Sequence, residues 1–183
     1  MCKAWIGQIR TMEHKLQELI GREQIAKRVS EVAECIRRDL HGENPLFLCV
    51  LKGAVMFAAD LVRAFGEPCE IGFLRLSSRK GTQSEGRVEA RLPIGEKVEG
   101  RVVVVVEDII DSGLTMRYLL EELAKMKPRA VKVATFCTKP AAEVWHVDVD
   151  YKCFEVDNRF IVGYGLDYDE KYRNLPAVCT IEE

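Results

Sequence analysis

The sequence lacks the features that mark membrane-spanning and secreted chains. No apolar stretch approaches the roughly 20 residues that a membrane span needs, and residues 1–10 contain no clear apolar core of a secretory signal. The net charge of −2 gives no general attraction to nucleic acid or to anionic membranes. We therefore expect a cytoplasmic protein that has neither nucleic acid nor a membrane as a partner.

The sequence also lacks the spacings of several common catalytic and metal sites. Its 7 cysteines form no CxxC pair, and its 3 histidines show no signature that would partner a nucleophilic cysteine or complete a zinc site. We interpret the cysteines mainly as reduced core residues. The absence of GxxxxGK[ST] argues against a P-loop nucleotide hydrolase.

The sequence does contain an alternation of short apolar runs and amphipathic segments. Valine-rich runs suit strands that are buried on both faces, and their alternation with helices predicts a parallel α/β sheet. The predicted strands cover residues 46–51, 70–76, 88–94, 102 onwards, 130–137, 152–156, 160–162 and 177–181. The predicted helices cover residues 13–40, with a division at Gly21 left open, 54–65 and 114–126.

One stretch, residues 102–116, combines a buried strand with the chemistry of a phosphate site. Its apolar run ends in Glu107 and Asp108, and Asp111 follows with a Ser-Gly pair before the predicted helix. Free N–H groups at a helix start attract phosphate, whereas adjacent carboxylates suit sugar hydroxyls or a hydrated metal. This pattern predicts a phosphate-and-sugar site at the carboxyl end of the strand.

A second junction of strand, glycine and helix lies at Lys52 and Gly53. This junction has a lysine at the position where the first junction has carboxylates. At the carboxyl end of a strand this pattern favours phosphate or pyrophosphate binding over a merely solvated turn lysine. The polar residues 77–89 are typical of either a lid or an ordinary hairpin loop.

Three stretches resemble a known family. Residues 104–115, VVVEDIIDSGLT, resemble the phosphoribosyl-pyrophosphate fingerprint of type I phosphoribosyltransferases, and Leu51-Lys52-Gly53 resembles their pyrophosphate loop. Residues 160–176, FIVGYGLDYDEKYRNLP, resemble the carboxyl-terminal region of hypoxanthine-guanine phosphoribosyltransferases. The combination of the fingerprint with this region points to the branch that acts on 6-oxopurines.

The resemblance implies an α/β fold of the type I phosphoribosyltransferase class. This fold has a central, mostly parallel sheet flanked by helices, with a small hood formed by terminal segments. We expect a single domain over residues 1–183. Its core would span about 40–150, and the hood would combine the N-terminal segment with about 151–183.

The resemblance also implies a reaction in purine salvage. The 5-phosphoribosyl group of phosphoribosyl pyrophosphate would pass to hypoxanthine or guanine, giving IMP or GMP and pyrophosphate, with Mg²⁺ as cofactor. A homodimer or homotetramer is expected. Two alternatives stay open, namely a xanthine-preferring enzyme and a non-catalytic regulator that senses phosphoribosyl pyrophosphate with the same fold.

The resemblance assigns roles around the sugar and its phosphates. Asp111 matches the general base that takes the proton from purine N7. Lys52, Gly53 and Arg173 match contacts to pyrophosphate. The other expected contacts to phosphoribosyl pyrophosphate are Glu107, Asp108, Ser112, Gly113, Leu114 and Thr115.

A second group matches the purine and metal sites of the family. Lys139 would donate to the purine O6, Phe160 would stack on the base, and Ile161 would offer main-chain contacts. Asp167 would lie at the purine site as a magnesium ligand. Glu107 and Asp108 are further candidate metal ligands.

Two positions depart from the family pattern. The mobile loop of the family usually carries Ser-Tyr, but this chain has Ser78 and Arg79 at the corresponding place, so we predict a lid that closes without the tyrosine. Leu114 stands where many relatives have a basic or polar residue, which would change a peripheral phosphate or subunit contact.

Overall fold

The computed structural model describes residues 14–78, 88–91 and 97–182, with the backbone alone at 76–78 and 88–91. Within these residues the helices are α1 (Arg22–Asp39), α2 (Val55–Phe65) and α3 (Leu114–Lys125), with a short 3-10 helix at Pro140–Ala142. The strands are β1 (Lys15–Ile20), β2 (Leu46–Leu51), β3 (Glu70–Ser78), β4 (Val88–Arg91), β5 (Val102–Ile110), β6 (Ala130–Thr138), β7 (Tyr151–Glu155), β8 (Ile161–Val162) and β9 (Val178–Glu182).

The larger sheet has the strand order β4-β3-β2-β5-β6-β7. All its pairings are parallel except the antiparallel pair of β3 and β4. The mostly parallel sheet predicted from the sequence is therefore confirmed. Strand β7 pairs with β6 in this sheet, so residues 151–155 extend it beyond the core limit expected from the sequence.

The valine run of β5 is buried because helices cover both faces of the sheet. Val104 and Val106 pack in the core cluster that contains residues of α1 and α2. Val103 and Val105 pack in the opposite cluster, which includes Leu119 of α3. Full burial of an aliphatic side chain contributes about 1.5–3 kcal/mol, so this alternation holds the central strand between two cores.

The smaller sheet has the strand order β1-β9-β8 and joins the two ends of the chain. The helix predicted for residues 13–20 is wrong, because Lys15–Ile20 forms strand β1 and pairs antiparallel with β9. Gly21 then starts α1, with its backbone in an extended conformation and its N–H donating to Gln24 Oε1 at 2.9 Å. The pairing of β1 with β9 thus overrides the local helical pattern.

The remaining predicted elements are confirmed to within two residues where the structure describes them. Residues 92–94 of one predicted strand and most of the expected lid lie outside the described residues. No helix in the described part of the chain is long and apolar enough to cross a membrane. Because β2, β5 and β6 are parallel neighbours, the segments that follow them meet at one edge of the sheet.

Candidate active site

The carboxyl ends of three adjacent strands bring the predicted site residues together. Lys52 follows β2, Asp111 follows β5 and Lys139 follows β6. The N–H of Lys139 donates to the carbonyl oxygen of Ile110 at 3.0 Å, which fixes the end of β6 against the end of β5. The predicted site residues are therefore concentrated at this edge of the parallel sheet, where α/β proteins commonly bind ligands.

The segment between β5 and α3 encloses a cavity of about 90 Å³. Its lining residues are Glu107, Ile109, Ile110, Asp111, Ser112, Gly113, Thr115 and Met116. The cavity lies beside the start of α3, where backbone N–H groups lack partners within the helix. An anion is stabilised at such a position by these donors and by the helix dipole.

The backbone of this cradle is held by a loop that the sequence reasoning missed. The carbonyl oxygen of Ser112 accepts a hydrogen bond from the N–H of Trp145 at 2.9 Å. Gly113 has φ +79, and a Cβ there would lie 2.0 Å from the carbonyl oxygen of Trp145. The Arg117 guanidinium lies 4.5 Å from the centre of the Trp145 ring. Gly113 is therefore required both for its conformation and for this close approach.

Glu107 and Asp108 form a carboxylate pair at the end of β5. Glu107 is buried, and burial together with the neighbouring charge of Asp108 raises its pKa well above the ordinary value. The N–H of Asp108 donates to Glu107 Oε1 at 3.1 Å, and the N–H of Ile109 donates to Asp108 Oδ1 at 2.9 Å. Two acceptors in so confined a place suit hydroxyl donors or a cation.

The loop after β2 fits closely against this pair and against the carboxyl-terminal region. The Leu51–Lys52 peptide bond is cis. A Cβ on Gly53 would lie 1.6 Å from Asp108 Oδ2. A Cβ on Gly165, which has φ +101, would lie 2.0 Å from the carbonyl oxygen of Gly53. Three segments that are distant in sequence therefore meet at Gly53.

A second cavity, of about 170 Å³, lies beside Asp111 and Lys139. Its lining residues are Ile110, Asp111, Thr138, Lys139, Pro140, Glu143, His146, Val147, Val149 and Lys152. Lys139 is only 8% exposed, although its ammonium is not among the fully buried side-chain atoms that lack a partner within the described residues. Asp111 lines both cavities and thus connects the cradle with the lysine.

The other predicted purine residues lie apart from this cavity. Phe160 does not line it and is 55% exposed, with its ring edge-to-face against Tyr168 at 5.6 Å. Ile161 is buried in β8 and pairs with Thr180. The structure therefore brings Lys139 and Asp111 together in a cavity whose lining does not include Phe160 or Ile161.

An ion cluster links the loop after β2 to the carboxyl-terminal region. Arg173 Nη2 lies 2.9 Å from Asp167 Oδ1 and 3.3 Å from Glu170 Oε2. Lys52 Nζ lies 2.9 Å from Glu170 Oε1. The structure thus unites the predicted Lys52, Asp167 and Arg173. Glu170 was missed by the sequence reasoning, and its spacing of three residues from Arg173 was the only local signal.

Residues 17–169 match the family described as the phosphoribosyl transferase domain. The chain belongs to this family. A hypoxanthine-guanine phosphoribosyltransferase of Streptococcus thermophilus is 43% identical over 166 residues, which cover 90% of this chain and 92% of the relative. One of Streptococcus pyogenes is 38% identical over 174 residues, which cover 94% of this chain and 97% of the relative.

Solved structures give the same assignment for this phosphoribosyltransferase. A hypoxanthine-guanine phosphoribosyltransferase of Bacillus anthracis has a TM-score of 0.86 at 40% identity, covering 93% of this chain and 100% of that one. A hypoxanthine phosphoribosyl transferase of Trypanosoma cruzi has a TM-score of 0.87 at 34% identity, with 94% of each chain covered. The family resemblance and the type I phosphoribosyltransferase fold are confirmed.

The structure describes one of the two departures from the family pattern fully and the other only in part. Leu114 is the first residue of α3 and is half-buried. Ser78 is the last residue of β3, whereas Arg79 lies outside the described residues. A lid role for this pair therefore stays a prediction.

Proposed function

We propose that this phosphoribosyltransferase transfers the 5-phosphoribosyl group from phosphoribosyl pyrophosphate to hypoxanthine or guanine in purine salvage. The products are IMP or GMP and pyrophosphate. The observation that carries the proposal is the 43% identity to a hypoxanthine-guanine phosphoribosyltransferase over 90% of the chain. The arrangement of Asp111 between the cradle and the buried Lys139 supports it.

The sugar and its 5-phosphate would occupy the cradle between β5 and α3. Backbone N–H groups of Ser112, Gly113 and Leu114 would hold the phosphate with the hydroxyls of Ser112 and Thr115, because both side chains are exposed beside the cavity. Glu107 and Asp108 would accept hydrogen bonds from the ribose hydroxyls. This placement puts the anomeric carbon near the end of the central strand.

The pyrophosphate leaving group would meet Lys52, the backbone of Gly53 and Arg173. As the glycosidic bond breaks, charge grows on the departing pyrophosphate and a cation-like centre develops at the anomeric carbon. Cations that are already in position stabilise this distribution without reorganisation at the moment of reaction. The ion cluster that joins Lys52 to Arg173 through Glu170 supports this assignment.

Magnesium fits the residues of the site when substrate oxygens complete its ligand set. No group of three or more metal-binding side chains is arranged to hold a metal within the described residues. Mg²⁺, however, binds typically through one or two carboxylates together with water and substrate phosphates. Glu107, Asp108 and Asp167 are the proposed protein ligands. Bound Mg²⁺ would neutralise charge on the pyrophosphate oxygens and so make pyrophosphate a better leaving group.

The purine would lie on the Lys139 side of Asp111. The ammonium of Lys139, a largely buried residue that lines this cavity, would donate to the 6-oxo group, which adenine lacks. Asp111 is exposed at the mouth of the same cavity and would take the proton from N7 as the glycosidic bond forms. The exposed ring of Phe160 offers a face for stacking, and the Ile161 main chain and Asp167 would complete the purine site.

The same family assignment supports proposals about the domain organisation, localisation, lid and oligomeric state of the enzyme. We infer a single-domain cytoplasmic enzyme with Ser78 and Arg79 in a closing lid. A homodimer or homotetramer is supported by exposed apolar side chains, which include Met56 on α2 and Ile71 and Phe73 on β3. Burial of such a surface between copies is a common route to symmetric oligomers.

The experiment compares initial rates of pyrophosphate release with different bases. The enzyme, phosphoribosyl pyrophosphate and Mg²⁺ are incubated with hypoxanthine, guanine, xanthine, adenine or uracil. Turnover of hypoxanthine or guanine above all other bases is expected. A clear preference for xanthine would establish the first alternative. Saturable binding of phosphoribosyl pyrophosphate without turnover of any base would establish the regulatory alternative.

A further inference from the structure

The carboxylate of Glu170 lies between the two cations that are proposed to bind pyrophosphate. Its Oε1 is 2.9 Å from Lys52 Nζ, and its Oε2 is 3.3 Å from Arg173 Nη2. Each oxygen of one carboxylate therefore pairs with a different cation. Hydrogen bonds from Lys52 first, and then from Arg173, lower the pKa of Glu170, so the group carries its full charge at neutral pH.

Pyrophosphate would need the same two donors. A charged group that bridges Lys52 and Arg173 would take the place of the Glu170 carboxylate, which bridges them in this structure. Like charges on the same donors repel each other, and Arg173 Nη2 already has Asp167 as a second acidic partner, so a further anion there competes with Glu170. Binding of the leaving group between these cations therefore competes with the ion pairs of Glu170.

The Glu170 side chain is placed so that it can leave. It is 61% exposed, and its partner Lys52 is 47% exposed, so water can replace the lost contacts. Exposed ion pairs of this kind contribute only about 0.2–1 kcal/mol each. The backbone can stay in place, because the Glu170 N–H is fixed by Asp167 Oδ2 at 2.9 Å.

Arg173 keeps its position independently of Glu170. Its Nη1 donates to the carbonyl oxygen of Gly165 at 2.8 Å, and its Nη2 also pairs with Asp167 at 2.9 Å. If the Glu170 contact were lost, the Arg173 guanidinium could bind another anion on that side, while its contacts with Gly165 and Asp167 would still hold the side chain in place. The contact with Glu170 can therefore exchange, whereas the contacts with Gly165 and Asp167 anchor the side chain.

We propose that Glu170 is an internal competitor for pyrophosphate. It pairs with Lys52 and Arg173 in the empty enzyme, is displaced by the pyrophosphate group of the substrate, and returns as the product leaves. The inference rests on the proposed function, because it takes Lys52 and Arg173 as the pyrophosphate contacts. Competition from Glu170 thereby lowers the affinity for the leaving group and shortens the time for which it stays bound.

The test is Glu170→Gln, which keeps the size of the side chain and removes the competing charge. Asp169→Asn is the matched control. It removes one negative charge from the adjacent position of the same turn, has no ion pair among the described residues, and places asparagine at φ +51, which asparagine tolerates. Binding of pyrophosphate with Mg²⁺ is measured by calorimetry, and its dissociation rate by stopped flow.

We expect Glu170→Gln to bind pyrophosphate about two- to tenfold more tightly than the wild type, through a slower dissociation rate. Asp169→Asn should stay close to the wild type, since it alters the local charge but not the competition. Unfolding temperatures should be nearly equal in all three proteins. Unchanged or weaker binding by Glu170→Gln would overturn the proposal, because Glu170 would then be neutral or would help to position the cations.

Pyrophosphate binding by the wild type distinguishes a failure of this inference from a failure of the proposed function. Pyrophosphate binding by the wild type with no gain in Glu170→Gln contradicts the competitor role and leaves the transferase standing. An equal gain in Asp169→Asn and Glu170→Gln also contradicts it, because a general charge effect would suffice. No binding by the wild type would remove the pyrophosphate subsite itself, and the inference with it.

Discussion

Gly53 and Asp108 approach each other so closely that a Cβ on Gly53 would lie 1.6 Å from Asp108 Oδ2. Gly53 belongs to the turn after β2, and Asp108 lies near the end of β5. Their contact joins the proposed pyrophosphate loop to the proposed ribose site. We expect this contact to hold the two parts of the substrate in a fixed relation.

Gly53→Ala is expected to disrupt this junction. The added methyl group must move the Asp108 carboxylate or the loop, so kcat/KM for phosphoribosyl pyrophosphate should fall by about tenfold or more. The free energy of unfolding should fall by about 1–3 kcal/mol. Steady-state kinetics and urea unfolding measure the two effects. Gly42→Asn is the control, because Gly42 has open space within 4 Å and asparagine accepts its φ of +78.

Much of the fold could be predicted because its strands and helices have strong local patterns. The valine run of β5 is fully apolar and short, which is typical of a strand covered on both faces. Strand β1 could not be predicted, because KLQELI is rich in helix-forming residues and only Ile20 is buried. Its conformation is set by β9, which lies at the opposite end of the chain.

Asp111→Asn should lower turnover far more than substrate binding. The amide keeps the shape of the carboxylate but cannot accept the N7 proton, so kcat should fall by about 10²–10⁴-fold. KM for phosphoribosyl pyrophosphate should change much less, because the cradle keeps its backbone donors. Glu23→Gln, which removes a carboxylate in the first turn of α1, serves as the control. An Asp111→Asn enzyme with wild-type turnover would remove Asp111 from the base role.

Lys139→Met should lower activity strongly and change stability little. Lys139 is only 8% exposed, but its ammonium is not among the fully buried unpaired atoms, so an apolar side chain of similar length should change the free energy of unfolding by less than about 1.5 kcal/mol. The same change removes the donor to the 6-oxo group, and kcat/KM for hypoxanthine should fall by about 100-fold or more.

Lys125→Met provides the comparison for Lys139→Met. Lys125 lies in the last turn of α3, and its side chain is 68% exposed in an ion pair with Glu122. Its replacement should leave activity intact and alter stability little. Denaturant unfolding and hypoxanthine kinetics are measured for both variants. Full activity of Lys139→Met would contradict the purine-donor role of Lys139.

Glu107→Gln tests the buried carboxylate through the pH dependence of stability in metal-free buffer. Because the folded-state pKa of Glu107 is raised above 4.5, its contribution to stability is fully present below that pH and is lost as the pH rises. Glutamine does not titrate. The stability of Glu107→Gln relative to the wild type should therefore increase as the pH rises from about 5 to 8. Parallel stability curves over this range would contradict the raised pKa.

The site could be predicted only where its residues lie in a recognisable stretch. Glu107 and Asp108 lie near the end of the buried strand β5 and Asp111 follows it, and the type of each side chain suits the predicted chemistry. The contact of Trp145 with Gly113 and the position of Glu170 between two cations depend on distant segments. Apart from the three-residue spacing of Glu170 from Arg173, no periodicity or spacing marks such contacts, because tertiary packing creates them.

The most direct measurement of the central claim is the stoichiometry of the complete reaction. Wild-type enzyme, phosphoribosyl pyrophosphate, Mg²⁺ and hypoxanthine are combined, and IMP and pyrophosphate are quantified in the same sample over time. The account predicts that the two products appear in equal amounts and that neither appears when hypoxanthine is omitted. Failure to form IMP from hypoxanthine and GMP from guanine, with the enzyme folded and phosphoribosyl pyrophosphate intact, would contradict it.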